Sequence, residues 1–277
     1  MPNSHPNAAR AQSGPGLGPR IFGAVNRRGL WTHLLRGLKR FFKMPLSSVA
    51  GPIASQGLFL AVFVVAYKAD VLLAGSFPPL TFVAPGIIAF SMTHTAFEQG
   101  AFPVLFDKLE GMIQDVMMAP LTPLEVTLGY VGSAAISGLF LGLCSLAVVA
   151  PFAGLTFDQP LVTLYFAIMG CLLFALLGAV AGLWAEKWDR YSAVETFLIL
   201  PLGMLSGAFF PLTAVPENWQ TLLQANPAYY VIDGVRYGLI GRAETDLLLG
   251  AGYLLVCNLL LAFLVSRLFA RGYKLRS

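Results

Sequence analysis

Apolar residues run along this chain in blocks too long for a soluble core. Six such blocks, at about 46–67, 80–99, 124–150, 160–184, 194–212 and 247–268, each approach the ~20 residues a helix needs to cross about 30 Å of hydrocarbon. Ahead of them, the period changes between residues 29 and 43. Trp31, Leu34, Leu35, Leu38, Phe41 and Phe42 line one helical face, and His33, Arg36, Lys39, Arg40 and Lys43 occupy the other. A basic amphipathic helix of this kind lies on an anionic leaflet. The same pattern also suits a solvated helix packed on the protein's own cytoplasmic face.

Two connections carry patterns of their own. Between the second and third blocks, Leu109, Met112, Ile113, Val116 and Met117 recur at helical spacing, while Asp107, Lys108, Glu110, Gln114 and Asp115 fill the other positions. This short helix is too polar to cross a bilayer, and its Met and Leu beside acids suit contact with a soluble partner or a rest on the membrane. Thr122-Pro123-Leu124-Glu125 then reads as a capping box with Pro in the first turn of the third span.

The second connection follows Pro211, where the fifth block stops. Pro216 suits a first helical position, and Trp219, Leu222 and Leu223 share one apolar face. Asn226-Pro227 breaks that piece. A second piece, 229–240, carries Tyr229, Ile232, Arg236 and Ile240 on one side, with Asp233 and Arg236 spaced to pair. Such pieces lie in the interface or dip back into the bilayer.

Composition confirms the solvent. A chain of 277 residues that is 57% hydrophobic and 12% charged exposes too much apolar surface for water, so it is an integral membrane protein. The net charge of +4 comes from basic residues beside the spans, a topology signal and not a nucleic-acid footprint. With the amino terminus in the cytoplasm, only Lys68, Arg236 and Arg242 of the 18 Lys and Arg are left outside, which places both termini inside. Trp31, Trp184, Trp188 and Trp219 fall where spans meet the interface. Residues 1–20 read as a disordered cytoplasmic tail, because Pro, Gly, Asn and Ser dominate and no apolar run suits a signal peptide. Cys144, Cys171 and Cys257 lie inside apolar runs without metal or redox spacing and read as packing residues.

Few polar groups fall within the spans. His94 and Glu98 stand one turn apart near the inner end of the second span, either as a bundle contact or as a substrate or gating site. Ser192-Ala193-Val194-Glu195 reads as the capping box of the fifth span. Gln56 and Asn258 suit hydrogen bonds between helices. Gly203-x-x-x-Gly207 allows close approach, at a subunit interface or against a neighbouring span.

The order of these parts resembles the ABC-2 type permease family, and most closely the branch with the nodulation-factor export permease and the YadH-type inner-membrane permeases. The residues that carry the resemblance are Met118-Ala119-Pro120-Leu121-Thr122-Pro123, Ser206-Gly207-Ala208-Phe209-Phe210-Pro211-Leu212, Asn226-Pro227 and Val231-Ile232-Asp233-Gly234-Val235-Arg236-Tyr237-Gly238. It covers about residues 29–277.

The resemblance implies an all-α membrane domain over 21–277, with an interfacial helix at 29–43, six spans within 46–268 and a short basic tail at 269–277. It also implies a coupling helix between spans two and three and a broken, re-entrant external hairpin between spans five and six. Asp107, Leu109, Glu110, Met112, Ile113, Asp115, Val116 and Met117 then contact the ATPase, and Pro216, Trp219, Asn226, Pro227, Asp233 and Arg236 build the hairpin. The family works as a permease dimer on a dimer of ATPase subunits. This chain contains no GxxxxGK[ST] stretch, so ATP and Mg belong to that partner and the chain itself binds no cofactor. The implied function is export of an amphipathic or lipid-like substrate (a drug, glycolipid or oligosaccharide) across a bacterial inner membrane. The other partners are a second copy and membrane lipids, not nucleic acid.

Two other classes fit less well. An intramembrane enzyme on His94 and Glu98 lacks an accompanying Ser, Cys or metal-ligand set, since one His with one carboxylate falls short of a metal site. A channel or ion-coupled carrier favours repeated halves with helices interrupted near mid-membrane, and here the break falls at the outer interface.

Overall fold

The computed structural model describes residues 26–66, 78–212 and 215–274, and every regular element among them is helical. The expected tail at 1–20, Tyr67, Lys68 and residues 275–277 lie outside the described residues. Helix α1, Arg27–Phe42, begins at Asn26, whose side chain accepts from the Gly29 amide at 3.0 Å. A π-helical turn, Leu46–Ala50, leads into α2, Gly51–Ala66. Then come α3, Pro79–Leu109, α4, Ile113–Met118, and α5, Pro123–Ala153. Helix α6, Pro160–Trp184, is followed by α7, Trp188–Val194, a second π-helical turn, Glu195–Ile199, and α8, Leu200–Met204. The chain closes with α9, Glu217–Ala225, α10, Pro227–Ile240, and α11, Leu247–Ala270.

Five helices are long and apolar enough to cross a membrane: α2 with its π turn, α3, α5, α6 and α11. The fifth expected span is instead a composite of α7, the π turn and α8. The chain turns back after Met204, where Gly207 adopts φ 71°. Pro201 and the π turn at Glu195 interrupt its ladder, and such turns gather at functional sites.

Helices α3 and α5 are each 31 residues, about 46 Å long, so both outrun about 30 Å of hydrocarbon. The helix that contains the second span therefore continues ten residues beyond the apolar block at 80–99. His94 and Glu98 lie in the middle of α3, not near its inner end. The polar pair Glu98-Gln99 imitates a membrane boundary, but the small residues beyond it are packed against protein. A methyl group at Gly100 would collide with the Ala175 carbonyl, and one at Gly178 with that of Phe97. Small residues thus bring α3 and α6 together as the central pair, in the way membrane helices associate. Around them lie α5, α10 and α11, while α2 leaves Leu58, Val62 and Val65 exposed on its outer side.

Helix α10 follows the second of its two expected placements, an inserted piece and not a surface one: twelve of its residues, from Ala228 to Ile240, are buried. It is wedged against α3 and α6, with Gly234 under the Phe166 ring. The preceding α9 keeps the interfacial character, with Trp219 and Leu222 exposed and Leu223 turned inward. Pro216 is its N-cap and not its first helical residue.

Candidate functional site

Three arrangements stand at different levels of the bundle, and α3 runs through all of them. The first is a cavity of about 580 Å³ between α2, α3 and α8. Phe59, Phe209 and Phe90 form one aromatic wall: Phe59 lies 5.2 Å from Phe209, and Phe209 lies 6.4 Å from Phe90. Gln56 closes another side and donates to Ser91 at 2.7 Å and to Ser145 at 3.1 Å, the inter-helix role its position predicts. Asn258 likewise donates across to the Met169 carbonyl at 3.1 Å.

His94 stands at the end of the aromatic wall, its ring 5.8 Å from Phe90. Its Nδ1 lies 3.9 Å from Glu98 Oε2, and its Nε2 lies 3.4 Å from Glu195 Oε1 without an aligned hydrogen bond. Glu195 is therefore not the cap of the fifth span. The N-cap of α7 is Lys187, and the π turn aims Glu195 at α3. This corrects the sequence reading in a second respect. One ligand atom from each of His94, Glu98 and Glu195 falls within 4.8 Å of the others, so the set has the residue types for a divalent metal. Only the π turn, invisible in residue spacing, brings in the third member.

The second arrangement lies at the opposite end of α3 from Pro79. Asp107 is not on the short amphipathic helix but in the last turn of α3, and its side chain is only 1% exposed. Its Oδ1 accepts from Arg36 at 2.7 Å and Arg40 at 3.0 Å, and its Oδ2 accepts from the Tyr130 hydroxyl at 2.7 Å. One carboxylate thereby joins α1, α3 and α5. The expected basic face of α1 is thus turned inward at Arg36 and Arg40, and Trp31 and Phe42 are exposed instead. His33 packs edge-on against Tyr130 at 4.4 Å, and burial, reinforced by Arg36, lowers its pKa to about 4. Asn26 completes the clamp by donating its amide to Glu125 Oε1 at 2.5 Å, while Glu125 and Thr122 form the capping box read from the sequence. The neighbouring Lys108 covers the end of α6, donating to the Leu183 and Ala185 carbonyls at 2.7 and 2.5 Å.

The amphipathic connection itself shortens to α4, because Gly111 at φ 74° separates it from α3. Of the apolar stripe, Ile113 and Val116 are buried in the core. Leu109, Glu110, Asp115, Met117 and Met118 are exposed, and Met112 is half-buried.

The third arrangement is the hairpin. Asp233 and Arg236 do not form the direct pair their spacing suggests. Arg236 is fully buried over the Phe82 ring at 4.0 Å, and it donates through Nη2 to the Gly207 carbonyl at 2.6 Å and through Nε to the Phe82 carbonyl at 3.3 Å. Asp233 instead accepts from the Glu244 and Thr245 amides at 2.9 and 3.0 Å and from the Thr245 hydroxyl at 2.6 Å. Asn226 caps α10 and reaches back to the Leu202 carbonyl at 2.7 Å, with Pro227 following in the first turn. Glu244, missed in the sequence, accepts from the Leu212 amide and the Tyr229 hydroxyl at 3.0 and 3.1 Å. Gly203 and Gly207 pack within the chain, against Phe90 and Tyr229 respectively.

Known proteins are similar to this chain in sequence. The inner membrane transport permease YadH of Escherichia coli (strain K12) is 28% identical over 253 residues, which cover 91% of this chain and 98% of that protein. Nodulation protein J of Rhizobium leguminosarum bv. viciae is 28% identical over 261 residues, covering 92% of this chain and 97% of its own length. The family model described as ABC-2 type transporter matches residues 28–240, from the first turn of α1 to the last residue of α10. Spanning well over half the chain and all three arrangements on α3, that match means the chain belongs to the ABC-2 type transporter family, as a membrane component of an ABC transporter.

Proposed function

We propose that this chain is the permease subunit of an ATP-driven exporter, working as a homodimer in a bacterial inner membrane with both termini in the cytoplasm. A separate dimeric ATPase, carrying ATP and Mg, moves it. The composite of α7, the π turn and α8 acts on this reading as the fifth of six spans. Its cargo is amphipathic or lipid-like and travels along the groove between α2, α3 and α8. Inner-membrane location has the support of the relative named as an inner membrane transport permease.

The observation that carries this reading is the continuity of α3. One unbroken 31-residue helix holds Asp107, bonded to α1 and α5, at one end, and Phe90, His94 and Glu98 along the groove wall at its centre. A push on α1 or on the exposed Met117 and Met118 side of α4 reaches that wall as a rigid-body shift of packed helices. Nothing in the groove needs to bind nucleotide.

Co-expression with an ABC ATPase subunit tests the proposal. The two subunits should copurify, and ATP hydrolysis should change when the permease is present in nanodiscs. Solute movement by the purified chain alone, with no ATPase, would overturn the reading.

A further inference from the structure

The groove is chemically lopsided. Its wall carries Phe59, Phe90 and Phe209, and one end holds the Glu98 carboxylate beside His94, with Glu195 behind the imidazole and outside the lining. Among the described residues its lining contains no Lys or Arg. Glu98 is therefore the carboxylate that a ligand in the groove meets, with no basic side chain of Lys or Arg beside it. A mostly apolar cavity of drug-like volume with a few convergent polar groups is the form small-molecule sites take.

We propose that the groove selects an amphipathic organic cation, with its positive group at Glu98, which Glu195 backs from beyond His94, and its apolar body along Phe59, Phe90 and Phe209. The inference rests on the export reading and names the substrate class for it. A metal fits the same cluster less well. The two carboxylates approach opposite nitrogens of the His94 ring, whereas the ligands of a tetrahedral zinc must converge on one point through a single ring nitrogen. A diffuse organic cation needs no such convergence, and it is drawn to aromatic faces such as those that lead up to His94. Glu98, with 40% of its side chain exposed, is the carboxylate such a ligand meets first.

The test uses two probes of matched size and opposite charge, tetraphenylphosphonium and tetraphenylborate, on the full chain in nanodiscs of neutral lipid. The phosphonium should bind at least tenfold more tightly than the borate. Glu98→Gln, an isosteric change at an exposed position, should remove most of that preference, and Glu98→Gln with Glu195→Gln should abolish it. Equal affinity for both probes, or a preference that survives in Glu98→Gln with the fold intact, would overturn the proposal. So would tight Zn²⁺ binding that is lost in His94→Ala while the phosphonium goes unrecognised. The assay contains no ATPase, so it fails independently of copurification, on which the export reading stands.

Discussion

Arg36 and Asp107 meet at 2.7 Å across 71 positions of sequence, and the same carboxylate oxygen also takes Arg40. A charge this buried is stable only where donors surround it, and three donors on two helices do so here. The consequence is that α1 cannot shift without α3.

Asp107→Asn should loosen that joint. The variant keeps an acceptor but loses the charge that holds two guanidinium groups and a phenol, a loss of about 2 kcal/mol. The detergent-solubilised protein should unfold at a lower temperature, and protease should cut within α1 faster than in the parent. Unchanged cleavage would mean that apolar contacts such as Phe41 on Phe140 hold α1 by themselves.

Acid should act on the same joint through His33. Its imidazole titrates near 4 in the folded protein, against an ordinary value near 6.5, because burial and Arg36 disfavour the cation. The unfolded chain binds the proton first, so the stabilisation is complete above pH 6.5 and is lost as pH falls through 4. Between pH 7 and pH 5 the change amounts to about 2 kcal/mol. Thermal unfolding at the two values should show that difference, and His33→Gln should remove this part of it.

Several parts of the site were legible in residue order because their signals are local. The Thr122 to Glu125 capping box, the Asn226-Pro227 break, and Gln56 and Asn258 as inter-helix donors depend on side chains acting within a turn or one packed neighbour. Long-range partners were not legible. Arg36 and Arg40 fit a membrane-surface helix equally well until Asp107 appears beneath them. Glu195 fits a cap three residues after Ser192, and only a π turn, which periodicity does not encode, rotates it to His94. The length of α3 beyond residue 99 was not legible because Glu98 and Gln99 are polar and the continuation packs on protein, as at Gly100 against the Ala175 carbonyl.

Coupling to the ATPase should depend on the exposed residues of α4 and not on the buried part of its apolar stripe. Met117 is 42% and Met118 76% exposed, whereas Ile113 is 2% exposed. Met117→Asp with Met118→Asp should leave the thermal midpoint unchanged and lower partner-dependent ATP hydrolysis by about tenfold, the equivalent of 1.4 kcal/mol at the contact. Ile113→Asp should instead lower the yield of folded protein, since it buries an unpaired charge at a cost of about 3 kcal/mol or more. Normal hydrolysis in the double variant would remove α4 from the coupling surface.

Arg236 makes the opposite kind of prediction, because its guanidinium is buried without a carboxylate at ion-pair distance among the described residues. Its donors end on the carbonyls of Gly207 and Phe82, and the first of these follows the turn that ends α8. Backbone oxygens freed by that turn accept the charge, so the arginine fixes where the chain reverses. Arg236→Ala would leave those carbonyls unpartnered around a void, at a cost of about 3–5 kcal/mol. Arg236→Met refills much of the volume but supplies no donor, and should recover only part of the loss. Both variants should lose transport while still copurifying with the ATPase, since the hairpin is remote from the Asp107 joint along α3. Loss of the ATPase from either variant would put the hairpin on the same side of the membrane as α4 and reverse the proposed orientation.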